Sequence, residues 1–201
     1  MKRLWYLTDL INMLPYLTKL LEANEIKYWL DWGTLLGAVR NGRIIPWDFD
    51  IDLGIHDEDV SKVLSLRVDV WKAGYDIKPC SVLPSKLLFY KKDNHGDAFH
   101  IDLDSWDKDG PVARCTFNPD IIHTAEELSL LVDIEFEGRL YPAPRQPEKV
   151  LARLFGEDWR TPKVSMGNLV YIQKYAPDDQ EIRDLIKEYR SYISAWDEAF
   201  K

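Results

Sequence analysis

In the stretch Trp47-Asp48-Phe49-Asp50-Ile51-Asp52-Leu53-Gly54-Ile55, acids alternate strictly with apolar residues. Successive side chains of a strand face opposite sides. The spacing therefore predicts Asp48, Asp50 and Asp52 on one face, with Phe49, Ile51 and Leu53 turned into a core. Three like charges side by side repel and destabilise a strand unless a cation sits among them. A hard divalent ion such as Mg²⁺ takes carboxylate oxygens and keeps positions open for phosphates. The pattern thus points to a metal-binding strand rather than a plain acidic edge.

The residues just before it add to this. Ile26–Trp32 reads as a strand, Gly33-Thr34 as a turn, and Thr34–Arg40 as a short helix. A Gly beside a hydroxyl residue at a helix start lets backbone N–H groups and the helix dipole face a phosphate. Arg40 closes the helix, placed either to cap its last carbonyls or to meet phosphate. A second acid-bearing strand is expected over Ala98–Trp106, with His100, Asp102 and Asp104 on one face. A phosphoryl-transfer site needs a third carboxylate from a neighbouring strand. Asp102 and Asp104 are both placed to supply it, with His100 orienting an acid or touching substrate.

Elsewhere the chain reads as α/β (α+β), a mixed sheet with helices packed on it. Apolar residues at three- and four-residue steps predict a helix over 3–24, kinked or split at Pro15. A helix follows over Asp57–Lys72, then strands over Tyr75–Ser81 and Lys86–Lys92. Short strands at Val112–Phe117, Val132–Phe136 and Gly138–Tyr141 are expected, with a hairpin at Glu137-Gly138. Helices over 146–155, capped by Gly156, and over 178–200 close the chain. The expectation is a single domain, 1–201, with an N-terminal helix (1–24) and a C-terminal helical part (146–201).

Gly33-Thr34-Leu35-Leu36-Gly37-Ala38-Val39-Arg40, then Ile45-Pro46-Trp47-Asp48 and Asp50-Ile51-Asp52, resembles the LicD family of phosphotransferases, built on the nucleotidyltransferase fold. His100-Ile101-Asp102-Leu103 extends the likeness, as does the Phe155-Gly156 region. The wording is closest to the fukutin-related branch of the family, and Phe49 stands where many bacterial members carry Asp. The resemblance implies transfer of a phospho-alcohol (phosphocholine, ribitol phosphate or glycerol phosphate) from a CDP-activated donor to a glycan hydroxyl, with CMP leaving. It implies Mg²⁺, with Mn²⁺ as the alternative, held by Asp50 and Asp52, completed by Asp102 and supported by Asp48. It places Gly33, Thr34, Arg40 and His100 toward substrate and its phosphates. Two rival readings use the same residues. One is a nucleotidyltransferase releasing pyrophosphate, and the other a non-catalytic carbohydrate-binding or scaffold module.

Composition narrows the class. A net charge of −8 argues against non-specific binding of nucleic acid or anionic membrane. The two cysteines, Cys80 and Cys115, are too few for a disulfide framework and read as free thiols. Neither a signal peptide nor an apolar run of about 20 residues is present. A cytoplasmic protein, or an excised domain of a larger one, is expected.

Overall fold

The computed structural model describes residues 4–93, 96–164, 168, 171, 172, 174 and 179–188. Helix α1 (Trp5–Ala23) runs unbroken through Pro15 and buries Tyr6, Leu7, Leu10, Met13, Leu14, Leu17 and Leu21. Each such side chain contributes about 1.5–3 kcal/mol when fully buried, so α1 is an integral part of the core. Strand β1 (Tyr28–Leu30) leads into α2 (Trp32–Asn41) and then β2 (Asp50–His56). A 3-10 turn at Asp57–Asp59 opens α3 (Val60–Ser65) and α4 (Arg67–Lys72). The helix expected over 57–72 is therefore broken at Leu66. Strands β3 (Tyr75–Pro79), β4 (Lys86–Lys91), β5 (His100–Asp109), β6 (Val112–Cys115) and β7 (Asn118–Thr124) follow. Helix α5 (Ala125–Ser129), the hairpin β8 (Val132–Phe136) and β9 (Arg139–Ala143), and α6 (Pro147–Phe155) complete the named elements.

The main sheet has the order β1-β2-β5-β4-β3, with β6 added beside β5 and β7 beside β6. Only β2 and β5 run parallel; the other pairs are antiparallel. This is the mixed sheet that the sequence predicts. One face presents Ile51, Leu53, Ile55, Leu87, Phe89, Ile101 and Leu103 to the helices, in one cluster with the apolar side of α1. The other face carries the acids and, toward β6 and α5, a smaller cluster of Trp29, Trp106, Ala113, Cys115 and Leu128. Gly54 is required where β2 passes beneath Trp29. A Cβ there would lie 2.2 Å from the indole.

Two local expectations change. The strand expected over 26–32 ends at Leu30, because Asp31 caps a helix that already begins at Trp32; Gly33 and Thr34 thus lie in the first turn of α2. Phe49 packs against the core that holds Ile51 and Leu53 but is only half-buried there. It precedes β2, stacks on Tyr171 at 4.2 Å and meets His100 edge-on. Gly42 is the left-handed cap of α2, with φ +64°. The helix expected over 178–200 is helical over 180–188, burying Ile182, Leu185 and Ile186. Its remaining residues, Tyr189, Tyr192, Ile193 and Trp196 among them, lie outside the described ones. Cys80 and Cys115 are both free.

Candidate active site

The parallel register of β2 and β5 builds the site. Asp50 pairs with His100 and Asp52 with Asp102, so the acids of two strands stand side by side on one face. Asp48 lies on the turn before β2 and still reaches the cluster: a Cβ built on Gly33 would sit 2.7 Å from Asp48 Oδ2 and 3.3 Å from Asp52 Oδ2. Only Gly therefore fits at 33 without displacing the acids. The Gly33 N–H donates to Asp52 Oδ2 at 3.0 Å, and the Asp52 N–H donates to Thr34 Oγ1 at 2.8 Å. These two bonds lock the start of α2 to the acid strand.

Asp50, His100 and Asp102 each offer a ligand atom, all within 4.8 Å of one another. His100 Nδ1 lies 2.7 Å from the Asp97 carbonyl, which can only accept, so Nδ1 carries a proton. Nε2 then points at Asp102 Oδ1, 3.2 Å away. Two lone pairs do not face each other at that distance without a proton or a cation between them. This tautomer, fixed by a backbone carbonyl, is the one in which an imidazole ligates a metal. The donor set thus fits a divalent ion.

The electrostatics agree. Burial, then Asp48, Asp52 and Asp102, raise Asp50 well above the usual carboxylate range. Burial also raises Asp52, with Lys86 opposing and Asp104, Asp48 and Asp102 adding. Burial would raise Asp102 too, but His100 and Lys86 outweigh it and hold Asp102 low. Asp104 is pushed up to about 8 by burial, with Lys86 the main opposing influence. Acids this averse to ionising together ionise only with positive charge beside them, which a bound metal would supply.

The sequence reading missed Lys86. It lies opposite Asp104 on β4, its ammonium bonds Asp102 Oδ2, and it stands 3.2 Å from Asp104 Oδ1. No local pattern marks it, since its place depends on the register of β4 against β5. Asp31 and His123 were missed as well. Buried Asp31 caps α2, accepts from Trp106 Nε1 at 2.8 Å and lies 3.4 Å from His123 Nε2.

Arg40 is not brought to the acids. At about 1.5 Å per residue it lies roughly 10 Å along α2 from Gly33, and its Nη2 donates to the Thr161 carbonyl at 2.6 Å. Lys at this position would keep a positive charge near that carbonyl. Arg40→Lys is therefore expected to leave the affinity for a CDP-linked donor within about threefold of the parent and to lower Tm by only a few degrees. Isothermal titration beside thermal melts would check this, and a tenfold loss of donor affinity would return Arg40 to the phosphates.

Comparison with known proteins gives the chain a family and a fold. A family model described as LicD/FKTN/FKRP, nucleotidyltransferase domain, matches residues 25–146. The ribitol 5-phosphate transferase FKRP of Mus musculus and that of Homo sapiens are each 34% identical over 155 residues, covering 70% of this chain. The chain spans 30% of the length of those proteins. The lipopolysaccharide cholinephosphotransferase LicD of Haemophilus influenzae is 43% identical over 61 residues, covering 30% of this chain and 22% of that protein. Among solved structures, the lincosamide antibiotic adenylyltransferase LnuA superposes with a TM-score of 0.50 at 17% identity, over 81% of this chain and 93% of that one. The antibiotic-resistance factor ANT(2'')-Ia gives 0.50 at 14% identity, over 96% and 98%. These structural likenesses establish a nucleotidyltransferase-like fold. The chain belongs to the LicD/FKTN/FKRP nucleotidyltransferase-domain family.

Proposed function

We propose that the chain is a divalent-metal-dependent phosphotransferase that moves a phospho-alcohol unit from a CDP-activated donor to a glycan hydroxyl, releasing CMP. The observation that carries this reading is the register placing Asp50 beside His100 and Asp52 beside Asp102. It sits within the part of the chain matched by a family whose relatives include named ribitol-phosphate and phosphocholine transferases.

The acceptor hydroxyl oxygen attacks the phosphorus of the transferred group as its proton passes to solvent, and the bond to the CMP phosphate oxygen breaks in line. Asp50, Asp102 and His100 would hold Mg²⁺ or Mn²⁺ beside the diphosphate, with Asp52 and Asp48 completing its surroundings. Such an ion neutralises charge on the diphosphate as CMP leaves. Asp102, held ionised by Lys86, suits a ligand better than a base. The first turn of α2, pinned to Asp52 through Gly33 and Thr34, presents its helix N-terminus on the same side as the acids.

A panel of CDP-choline, CDP-ribitol and CDP-glycerol with Mg²⁺ or Mn²⁺ tests the reaction. CMP release that depends on both metal and a glycan acceptor is expected. Pyrophosphate release from a nucleoside triphosphate instead would make the chain a nucleotidyltransferase. No turnover and no metal binding would make it a binding module.

The metal also predicts a pH signature. Asp50, Asp52 and Asp104 all have folded pKa values above the ordinary carboxylate range of about 4. Their contribution to stability is fully present below that range and is lost as pH rises through the folded values. Metal-free protein should therefore lose Tm between about pH 5 and pH 9, Asp104 titrating near 8. A divalent ion that binds the ionised cluster should raise Tm more at about pH 8 than at about pH 5. Calorimetry with and without Mg²⁺ at both pH values checks this, and a metal effect equal at the two pH values would contradict it.

A further inference from the structure

Lys86 does more than keep Asp102 ionised; it is built into the centre. Its side chain is only 16% exposed. Its ammonium lies over the Phe117 ring at 5.3 Å from the centroid, bonds Asp102 Oδ2 and pairs with Asp104 Oδ1 at 3.2 Å. The strand carrying it is pinned at its start, where Ser105 Oγ donates to the Ser85 carbonyl at 2.9 Å. A surface lysine wanders among rotamers; this one is fixed by β4–β5 pairing, by Phe117 and by two carboxylates.

The two oxygens of Asp102 face different partners. Oδ1 faces His100 Nε2, in the group with Asp50, and is buried without a hydrogen-bond partner. Oδ2 faces Lys86. A carboxylate shared between two neighbouring cations is how two-metal centres hold ions about 3.5–4 Å apart. Here the position on the Oδ2 side, backed by fully buried Asp104, is filled by an ammonium. Resting on the metal reading given above, we infer that Lys86 stands where a second metal would sit, so that the centre takes one divalent ion, with Asp104 serving Lys86 and not the ion.

Counting bound Mn²⁺ by electron paramagnetic resonance on the full chain tests this. The wild type should bind one Mn²⁺. Lys86→Met should bind two, the second on Asp102 and Asp104, and Lys86→Met/Asp104→Asn should return to one. With Lys86 in place, Asp104→Asn should change the Mn²⁺ dissociation constant less than about threefold, whereas Asp102→Asn should weaken it at least about tenfold. Two ions on the wild type would overturn the inference, as would a folded Lys86→Met that binds a single ion with unchanged affinity. If Lys86→Met does not fold, the comparison of Asp104→Asn with Asp102→Asn decides, and equal losses would make Asp104 a ligand and end the inference. No Mn²⁺ on the wild type at millimolar concentrations would instead bring down the metal reading itself, and this inference with it.

Discussion

Asp102→Asn is expected to slow CMP release by on the order of 10²–10³-fold or more, while Asp104→Asn slows it less than about tenfold. Both carboxylates are buried on the same face of β5, and both meet Lys86. What separates them is the second oxygen. Asp102 Oδ1 is turned to His100, and Asp102 groups with Asp50, whereas Asp104 pairs only with Lys86 among its described partners. An amide is nearly isosteric with a carboxylate but carries no charge, so Asp102→Asn removes the ionic ligand while leaving the packing. The same logic applies to Asp52→Asn, whose amide oxygen can still accept the Gly33 N–H. Steady-state CMP release, with circular dichroism to show that each variant is folded, gives the ranking. If Asp104→Asn proved the more damaging, the transferred phosphate would have to meet the acids two residues further along the strand.

Much of this centre was readable because a strand imposes a period of two. Asp50 and Asp52 fall on one face and Ile51 and Leu53 on the other, whatever the rest of the chain does. The same alternation picked out His100, Asp102 and Asp104. It failed at Phe49 because the strand starts one residue later, at Asp50, and before that point the backbone has no such period. It failed again at Trp32. There the backbone takes φ +40°, a left-handed conformation uncommon for a bulky side chain. The indole is held between Trp106 and Phe117, both distant in sequence. Strand β7 was missed because Asn118, Pro119 and Asp120 are poor strand formers, and it exists by pairing with β6. Helix α5 carries a full capping box between Thr124 and Glu127, but at five residues it leaves too little periodicity to read.

Lys86 and His123 expose the other limit. Each is defined by what a distant strand or helix places against it, and a lone basic residue carries no local mark of that. The family match spans residues 25–146 and so includes both, but a match over a range assigns a role to no residue within it.

Asp31→Ala is expected to cost about 3–5 kcal/mol, the usual penalty for breaking a buried ion pair by removing one partner. For a chain of this size that is a fall in Tm of about 6–20 °C. Asp31 is fully buried and does three jobs at once. It caps α2 through the Trp32 N–H at 3.0 Å, accepts from Trp106 Nε1 at 2.8 Å, and faces His123 Nε2 at 3.4 Å. Beyond His123, Glu127 lies 3.7 Å from Nδ1 and binds Arg153 of α6 at 2.7 Å. Alanine would leave a buried indole N–H without its acceptor and a buried imidazole with only one of its two acids, and it would uncap the helix whose first turn is bonded to Asp52. The charge part of that cost has a pH signature. Burial would lower His123, but Asp31 and Glu127 outweigh it and raise its pKa above the ordinary imidazole value. Its contribution is therefore fully present below about pH 6.5 and is lost as pH rises through the raised folded value. Burial would raise Glu127, but His123, Arg153 and the Thr124 N–H bring it down to about 2. Its contribution is present above the ordinary glutamate value and is lost as pH falls toward 2. The cost of Asp31→Ala should thus be greatest near pH 6 and smaller at alkaline pH. On a His123→Leu background it should shrink by about 1 kcal/mol or more, the size expected for groups in one buried network. Denaturant melts of the two single variants and the double variant at about pH 6 and pH 9 measure this directly. A cost that is the same at both pH values and on both backgrounds would reduce Asp31 to a helix cap and a partner for Trp106.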